Sequence, residues 1–525
     1  MHCSSRSGRA LLGVVGLVAL GGMLLLTGAG APATAQPDPR YYDYDEVLAL
    51  FDAWAADYPD IFHREVIGYS LLGEEPIWAC KISDNAALHE AEARVMIDAA
   101  IHGNEANGVG AIVYMIDKLL TRYGSSPEYT AMVDNLEMWF VPVINVDGYR
   151  MVFAGGADWD LWRKTKRDND GNELYTYPED GVDANRNWDY RWHEYDQTDY
   201  RSTRYKGPYA WSEPEVVAMR DLIMRELPVF LMDLHSPDVP SIGNKIWWPW
   251  YDPDHGTYGP DDDIYQPISQ TLGSRCMTET GGTVNGSGAC YNRLPKEQCW
   301  VYSNTGICAF LMEISLQYWW SGATVDTIAA RTGRGLFYLM ERAQSGPGLT
   351  GIVTSAGSGS PLQAEIVVSQ VHSSVIGPRT SEQFHGQYWR LLNSGNYTVT
   401  ASAPGHEPDT QSIYVSSSGW TELDFQLEPE SGSSVGSDPL AAGQRIWNDS
   451  PLRPGGAIHL RLPEEGRVTL ELVDVTGRQA RTLLDGLLPA GVRSISLERG
   501  LPAGAYMMLL RTDRERLARK VMLVD

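Results

Sequence analysis

Two residue types that bind divalent cations follow the apolar run 95–101 of this sequence. His102 and Glu105 are separated only by a short Gly-Asn-containing turn, so their side chains can face one point. His235 follows a second apolar run, residues 229–234. Two imidazoles and one carboxylate make three protein ligands and leave a position open for water, which is the arrangement of a catalytic zinc site.

Other zinc patterns are missing from the sequence. A structural zinc site is normally closed by four ligands, mostly cysteines, and the cysteines here lack CxxC spacing. No HExxH helix is present, because His89, His193 and His406 precede a glutamate but have no second histidine at the required spacing. The sequence therefore favours a site built at strand ends over one built on a single helix.

Length and charge narrow the class of protein. The chain has 525 residues, 43% of them hydrophobic, and this composition is typical of a globular protein of about three domains. Its formal net charge is -25, which disfavours nucleic acid and anionic membranes as partners. An acidic surface suits solubility and gives a weak attraction for cationic ligands.

The first 35 residues are typical of an export signal. Arg6 and Arg9 precede an apolar run from Leu11 to Leu26, and a small-residue cleavage site, 33–35, follows. We therefore expect a secreted or cell-surface protein. Export permits disulfides, so one or two bridges within the cysteine-rich segment 276–308 are predicted, with buried free thiols as the alternative.

Helices and strands alternate along the first two thirds of the chain. Apolar spacing predicts helices and strands in the following ranges: helices 44–55, 108–123 and 212–225, and strands 77–82, 95–101, 138–145 and 229–234. A capping box at residues 212–215 is expected to begin the third of these helices. His102 and His235 would then lie at the carboxyl ends of strands, where ligands concentrate in open α/β sheets.

Three further segments resemble the zinc carboxypeptidase family, also called funnelins, over about residues 40–343: Leu161–Lys164, Val182–Trp188 and Phe310–Glu313. The resemblance implies an α/β fold with a mixed, eight-stranded-type sheet flanked by helices. It implies that His102, Glu105 and His235 bind one Zn²⁺. It also implies a metallocarboxypeptidase that hydrolyses the C-terminal bond of peptides and proteins.

The same resemblance implies a role for several other residues. Asp183 matches the carboxylate that orients the first histidine ligand, and Glu313 matches the general base that moves the proton between water and the leaving amine. Arg163 matches the residue that stabilises the oxyanion. Asn185 and Arg186 match the pair that holds the substrate's terminal carboxylate.

Two residues of the cysteine-rich segment match substrate-binding positions of the family. Tyr291 matches a mobile tyrosine that closes over bound substrate, and Gln298 matches the base of the specificity pocket. Glutamine at that position occurs in the branch of the family that removes basic residues. A preference for C-terminal Lys or Arg is therefore a hypothesis, for which the sequence shows no additional carboxylate.

The remainder of the chain is predicted to form two small all-β sandwich domains, because short strands alternate with Gly, Ser and Pro turns. Residues 347–429 resemble the transthyretin-like domain of regulatory carboxypeptidases, which would leave 36–345 as the catalytic domain. A linker covers 430–442. Residues 443–525 resemble bacterial C-terminal sorting domains of type IX secretion and a flagellar-hook-cap module, and would contact secretion machinery or the cell surface or act as a spacer.

Several alternatives stay open at this point. The chain could be a metal-dependent amidase or deacylase on the same fold, acting on cell-wall peptides or small amides, or an inactive peptide-binding module. The stretches Asp168–Gly171 and Asp252–Asp263 offer closely spaced oxygens for Ca²⁺, although neither completes a known calcium loop. The oligomeric state is not predicted.

Overall fold

A computed structural model of the chain describes residues 37–525 apart from short gaps. The gaps are residues 73–74, 156–160, 237–242, 253–256, 279–280, 292–293, 374–375, 431–445, 449–456, 463–465, 475–478, 489–490, 498–500, 503, 513–515 and 524–525. The predicted export signal, most of the predicted linker and much of the acidic stretch 252–263 therefore lie outside the described residues. In the part that is described, no helix has the length and apolar character needed to cross a membrane.

An α/β domain comes first. Its helices are α1 Tyr44–Asp57, α2 Asn107–Arg122, α3 Pro127–Val133, α4 Val146–Ala154, α5 Pro214–Glu226, α6 Asp262–Arg275, α7 Glu297–Thr305 and α8 Ala323–Ser345. Its strands are β1 Phe62–Tyr69, β2 Pro76–Ile82, β3 Ala93–Ala99, β4 Leu136–Val141, β5 Phe230–His235, β6 Lys245–Asp252, β7 Thr257–Tyr258, β8 Asn285–Tyr291 and β9 Cys308–Glu313.

These nine strands form one mixed sheet in the order β1-β2-β4-β3-β5-β9-β6-β7, with β8 paired to β6. The central strands β4, β3, β5 and β9 run parallel to one another. Every residue of β3, β4 and β5 is buried, as expected where both faces of a sheet are covered. The predicted mixed sheet flanked by helices is confirmed, and the two-residue strand β7 lengthens it at one edge.

Most predicted elements occur within a few residues of their expected bounds, and two differences have clear causes. The strand predicted over 138–145 ends at Val141, because Pro142 has no N–H for the ladder. The following residues turn into α4, where the Asn145 side chain accepts a hydrogen bond from Gly148 N at 2.9 Å. The predicted strand therefore contains the start of a helix.

The predicted capping box before α5 is wrong. Glu213 is the N-cap residue, and its side chain makes no cap hydrogen bond. The Ser212 hydroxyl donates to Glu213 Oε1 at 2.7 Å and accepts from the distant Asn187 Nδ2 at 2.9 Å. Glu215 Oε1 accepts from Leu71 N at 3.0 Å. Both side chains are buried and serve tertiary contacts, which outcompete the local capping pattern.

Disulfide bridges to Cys276 and Cys308 are also contradicted, because both are buried free thiols, as is Cys80. The Cys276 thiol packs beside α8 and contacts the Thr332 carbonyl oxygen at 3.8 Å. The side chain of Cys290 lies outside the described residues. The interior of the α/β domain thus uses these cysteines as small apolar residues.

Two β-rich domains follow. The strands of the second domain are β10 Gly348–Ser355, β11 Glu365–Val368, β12 Arg379–Thr380, β13 Gln387–Leu391, β14 Gly395–Ser402, β15 Asp409–Val415, β16 Trp420–Glu422 and β17 Phe425–Leu427. Those of the third domain are β18 Ile446–Asn448, β19 Ala457–Leu462, β20 Gly466–Asp474, β21 Gln479–Leu488, β22 Gly491–Ser496, β23 Gly504–Thr512 and β24 Arg516–Leu523. Each domain consists of two sheets around its own apolar cluster, as a sandwich requires.

The second domain packs closely against the first. Trp420 Nε1 donates to the Ala343 carbonyl oxygen at the end of α8 at 2.7 Å, and the Arg379 guanidinium donates to the Leu227 and Pro228 carbonyl oxygens. Leu391 of β13 joins the apolar core of the α/β domain. These contacts give the two domains a common interface. Part of it lies at residues 227–228, which precede β5, and so at the end of that strand opposite to His235.

Candidate metal centre

The parallel strands β3, β5 and β9 bring four polar side chains toward one edge of the sheet. Asp98 of β3 pairs in register with Asp233 of β5, and His235 at the end of β5 pairs with Glu313 at the end of β9. Because parallel strands end at the same edge, His235 and Glu313 are neighbours although they are far apart in the sequence.

His102 reaches the same edge through a strained turn. Ala100 has a φ of 52°, which a residue with a Cβ atom rarely adopts, and it ends β3. Gly103 then approaches another segment so closely that a Cβ atom there would lie 2.5 Å from the backbone of Gly148. The turn is thus held between β3 and α2, with His102 and Glu105 pointing inward and buried.

The three predicted ligands converge. Nδ1 of His102 lies 2.9 Å from Oε1 of Glu105, and Nδ1 of His235 lies 2.8 Å from Oε2 of the same carboxylate. Ligand atoms from all three residues lie within 4.8 Å of one another. Each side chain is at most 3% exposed. Two imidazole nitrogens and a carboxylate at this spacing fit Zn²⁺ with an open position.

A carboxylate lies behind each imidazole. Nε2 of His102 donates to Oδ1 of Asp183 at 3.1 Å, and Nε2 of His235 donates to Oδ2 of Asp233 at 2.7 Å. A proton held at Nε2 leaves Nδ1 as the free lone pair, so both carboxylates select the tautomer that binds metal through Nδ1. The donor set therefore fits the metal in protonation as well as in position.

Electrostatics maintain the charges that this site requires. Burial opposes ionisation of Glu105, but His102 and His235 outweigh it and hold the pKa of Glu105 well below its usual range. Burial lowers the pKa of His235, whereas Asp233 and Glu105 raise it to about 10. Because the ligand form of histidine is neutral, metal binding at His235 must release a proton.

Glu313 faces the same space and is half-buried. Among the described residues, none donates a hydrogen bond to its Oε2 atom. Burial and the nearby Glu105 carboxylate raise the pKa of Glu313 to about 7, against the opposing effect of His235. A carboxylate with a pKa near neutrality can both take up and release a proton at physiological pH.

Arg163 connects the ligands to their supporting carboxylate. Its Nη1 atom donates to Glu105 at 3.1 Å, and its Nε and Nη2 atoms donate to Oδ2 of Asp183 at 3.1 Å. The guanidinium group has five N–H bonds, so two remain for another acceptor. The Arg163 side chain is 17% exposed, so solvent can still reach it.

Asn185 and Arg186 lie in a short 3-10 turn, residues 184–186, directly after Asp183. Asn185 Oδ1 accepts from Glu297 N at 3.0 Å. Because His235 Nε2 carries a proton, the Asn185 Nδ2 group has among the described residues only a long contact, 3.5 Å, with Oδ2 of Asp233. The Arg186 guanidinium donates to the Asn185 carbonyl oxygen and, at 3.3 Å, to the Tyr195 hydroxyl. Both residues adjoin the metal centre and retain N–H donors.

The two remaining predicted residues lie at the end of β8 and in α7. Gln298 is buried in the first turn of α7, next to Glu297, whose backbone N–H binds Asn185. Tyr291 is the last residue of β8 and pairs in register with Tyr251 of β6, while its side chain lies outside the described residues. The roles of Gln298 and Tyr291 in substrate binding therefore stay predictions.

Sequence reasoning missed the role of Asp233 and two other buried carboxylates. Asp98, Asp233 and Glu297 are fully buried, and their oxygens lie within 4.8 Å of one another. Burial and the neighbouring carboxylates raise the pKa of Asp98 and of Glu297 well above the usual range of a carboxyl group. The alternation of Asp233 and His235 on one face of a strand was the available signal.

Comparison with known proteins agrees with this geometry. Residues 47–321, more than half of the chain, match the family described as zinc carboxypeptidase. The chain belongs to the zinc carboxypeptidase family. Residues 348–428 match a second family, the carboxypeptidase regulatory-like domain. The predicted resemblance to both families is thereby confirmed. The sorting domain predicted over residues 443–525 stays a prediction.

Relatives in this family differ in how much of their length the chain covers. The chain is 26% identical to carboxypeptidase D from Homo sapiens over 431 residues, which is 77% of the chain but 28% of that protein. Carboxypeptidase N catalytic chain from Mus musculus is 24% identical over 437 residues, 90% of its length. Carboxypeptidase B from Astacus astacus is 33% identical over 215 residues, 40% of the chain and 64% of that protein.

A solved structure similar to part of the chain is carboxypeptidase A from Helicoverpa armigera. It aligns with a TM-score of 0.48 at 21% identity and covers 58% of this chain and 73% of that one.

Proposed function

We propose that this protein is a zinc-dependent metallocarboxypeptidase that hydrolyses the C-terminal peptide bond of peptides and proteins. The observation that carries the proposal is the convergence of His102, Glu105 and His235 on one point beside the partnerless carboxylate of Glu313. Membership of the zinc carboxypeptidase family supports the same reaction class.

His102, Glu105 and His235 would hold the Zn²⁺ ion. When bound there, zinc acts as a Lewis acid and increases the acidity of water. Glu313 takes the proton of the attacking water and later delivers it to the leaving amine, for which its pKa of about 7 is suitable. Arg163 directs its two unused N–H bonds toward the oxyanion that forms on the scissile carbonyl.

Recognition of the terminal carboxylate would rest mainly on Arg186. Its guanidinium charge is permanent and suits a carboxylate. Asn185 Oδ1 already accepts from Glu297 N, so its Nδ2 group is the part that would contact the same carboxylate. The two residues would thus act as the pair that the family resemblance implies.

An amidase or deacylase on the same fold is the second candidate. Such an enzyme would keep the zinc ligands and Glu313 and need not use Asn185 and Arg186 to hold a free carboxylate. Zinc, Glu313 and Arg163 would serve both reactions in the same way. The two candidates differ in whether the substrate must end in a free carboxylate.

Hydrolysis of two matched peptides, one with a free C-terminal carboxylate and one amidated, distinguishes these functions. Purified protein is assayed as isolated, after chelation and after return of zinc. Zinc-dependent release of single residues from the free-acid peptide alone is expected. The Glu313→Gln variant is the control: it should keep stoichiometric zinc and lose about 10²- to 10⁴-fold in turnover. Equal cleavage of both peptides would instead establish the amidase.

A preference for basic C-terminal residues is a finer proposal. Gln298 is buried at the start of α7 near the metal centre, and the chain carries a net charge of -25, which attracts cationic substrates. Release rates from peptides ending in Arg, Lys, Leu and Phe test the preference. Faster release of Leu or Phe than of Arg and Lys would contradict it.

Export and the roles of the later domains are also proposals. The sequence pattern of residues 1–35 supports secretion, with boundaries at 36–345, 347–429 and 443–525 for the three domains. The two-sheet arrangement of the third domain supports a sandwich that sorts, anchors or spaces the enzyme. Expression with and without residues 443–525, followed by cell fractionation, would show whether that domain determines location.

Calcium binding remains a prediction. Oxygens of Asp168, Asp170 and Asp180 lie within 4.8 Å of one another, which suits a hard cation. Asp168 already accepts hydrogen bonds from the backbone N–H groups of Gly171 and Glu173, so an ordinary turn accounts for its position. Calorimetric titration with Ca²⁺ would decide between them.

A further inference from the structure

A cleft lies between the α/β domain and the second domain, separate from the metal centre. Two adjoining cavities, of about 10 and 30 Å³, share the residues Asp261, Gly306, Arg379 and Arg390. Apolar side chains of both domains line the rest of the first cavity, among them Ile264 and Leu391. The cleft is therefore an apolar space with a concentrated group of charges.

Arg379 places a positive charge in the cleft, and only 4% of the residue is exposed. Nε donates to the Trp389 carbonyl oxygen at 2.9 Å, and Nη2 donates to the carbonyl oxygens of Leu227 and Pro228 at 3.3 and 3.2 Å. Among the residues that the structure describes, no carboxylate contacts this guanidinium group, and none accepts a hydrogen bond from Nη1.

The nearby carboxylate is already committed. Asp261 Oδ1 accepts from Arg390 Nη2 at 2.6 Å, and Asp261 Oδ2 accepts from the Tyr302 hydroxyl at 3.0 Å. Two guanidinium groups thus line a cleft that contains one carboxylate. The imidazole of His372 also lines the second cavity. One positive charge is left without compensation in a largely apolar environment, which is energetically costly.

The pKa of Arg379 agrees with this imbalance. Burial, and then the positive charge of Arg390, lower the pKa of Arg379 to about 9. Two other arginines with little exposure have an acidic partner: Arg94 contacts Glu137, and Arg225 contacts Glu226. Both have a raised pKa, because the acidic partner outweighs burial. Arg379 differs from them in lacking an anion.

We propose that this interdomain cleft binds a small monovalent anion, such as chloride or a short carboxylate, at the guanidinium group of Arg379. Cavities of this volume have room for about one or two water-sized groups, which favours a very small ligand. Nη1 of Arg379 is the free donor, and the negative charge balances the pair of arginines.

Such an anion would strengthen the interface between the domains. Arg379 belongs to β12 of the second domain, and its Nη2 atom binds carbonyl oxygens that precede β5 in the α/β domain. Neutralising its charge removes the cost of keeping it buried at that junction. Since only the folded, docked protein contains the site, anion binding should raise the stability of the whole chain.

Thermal unfolding of the full chain in sodium chloride, sodium acetate and sodium gluconate tests the proposal. All three are compared at equal sodium concentration, and gluconate is the anion too large for the cleft. The unfolding midpoint of the wild-type chain should rise more with chloride or acetate than with gluconate. The Arg379→Met variant should respond equally to all three, because it lacks the charge. Arg275→Met, at an exposed arginine paired with Glu341, is the matched control and should behave like the wild type.

A second measurement does not depend on a variant that folds. Crystals of the wild-type chain grown with sodium bromide should show anomalous scattering from a bromide within hydrogen-bonding distance of Arg379 Nη1. Equal responses of the wild-type chain to chloride, acetate and gluconate would overturn the proposal. So would a wild-type response that the Arg379→Met variant retains, or bromide crystals with no anomalous peak in the cleft.

Discussion

Replacement of Asp183 tests whether the buried carboxylates behind the imidazoles tune the metal centre. Asp183 is fully buried, and its two oxygens have separate partners: Oδ1 accepts from His102 Nε2, and Oδ2 accepts from Arg163. Burial opposes its ionisation, but Arg163, Arg186 and His102 hold the pKa of Asp183 well below its usual range. It is therefore a full negative charge at every relevant pH.

The size of the effect follows from what each variant removes. Loss of such an outer carboxylate lowers metal affinity about 10- to 100-fold, or about 1.4–2.8 kcal/mol. Asp183→Asn keeps an oxygen that accepts the His102 N–H but loses the charge and the acceptor for Arg163, so we expect the lower value. Asp183→Ala loses the acceptor as well and should approach the higher one.

Zinc affinity is measured by competition with a chromophoric chelator, with circular dichroism as the check that the variants are folded. Asp180→Asn is the matched control, since Asp180 is a buried carboxylate nearby whose partners are Asn169 and Thr176. It should bind zinc like the wild type. Folded Asp183 variants with unchanged zinc affinity would refute the argument that this carboxylate selects the tautomer of His102.

Three other outcomes are expected. Gly103→Ala should lower zinc affinity by at least about tenfold in the same competition assay, because the new Cβ atom would collide with the Gly148 backbone and displace the ligand turn; unchanged affinity would contradict this. Burial and Glu213 raise the pKa of Glu215 to about 8, so the folded state holds its proton more tightly than the unfolded state, and the free energy of unfolding should fall as pH rises from about 4.5 to 8. Urea titrations across that range should show a shallower fall for Glu215→Gln, and an identical slope would count against it. Cys276 and Cys308 should react with a thiol reagent only after unfolding, because both are buried; mass spectrometry of the labelled native protein would reveal any earlier reaction.

Local patterns predicted the α/β domain well because its central strands are continuous apolar runs. The strand before His102 and the strand that ends at His235 occur almost where predicted, since burial on both faces leaves little choice of residue. The pattern failed at Ser212 and Glu215, where polar residues that usually cap a helix are recruited by distant partners. Short-range signals cannot register such competition.

The chemistry of the candidate site was predictable in kind but not in detail. The types and positions of His102, Glu105 and His235 predicted an open metal site, and the resemblance to the zinc carboxypeptidase family supplied Glu313 and the hydrolase reaction. Asp233, by contrast, is an ordinary strand residue until the fold sets its carboxylate 2.7 Å from the histidine it supports.

The sequence by itself determined which residues could bind zinc and move protons, the signal-like first segment, and the division into one α/β and two β-rich domains. Only the tertiary structure decided how the Asn185 amide is used, which carboxylate stands behind each imidazole, and that Arg379 enters an interdomain cleft without a counterion. The physical reason is that ligand chemistry belongs to single side chains, whereas a partner or its absence depends on segments far apart in the chain that meet only when the core packs.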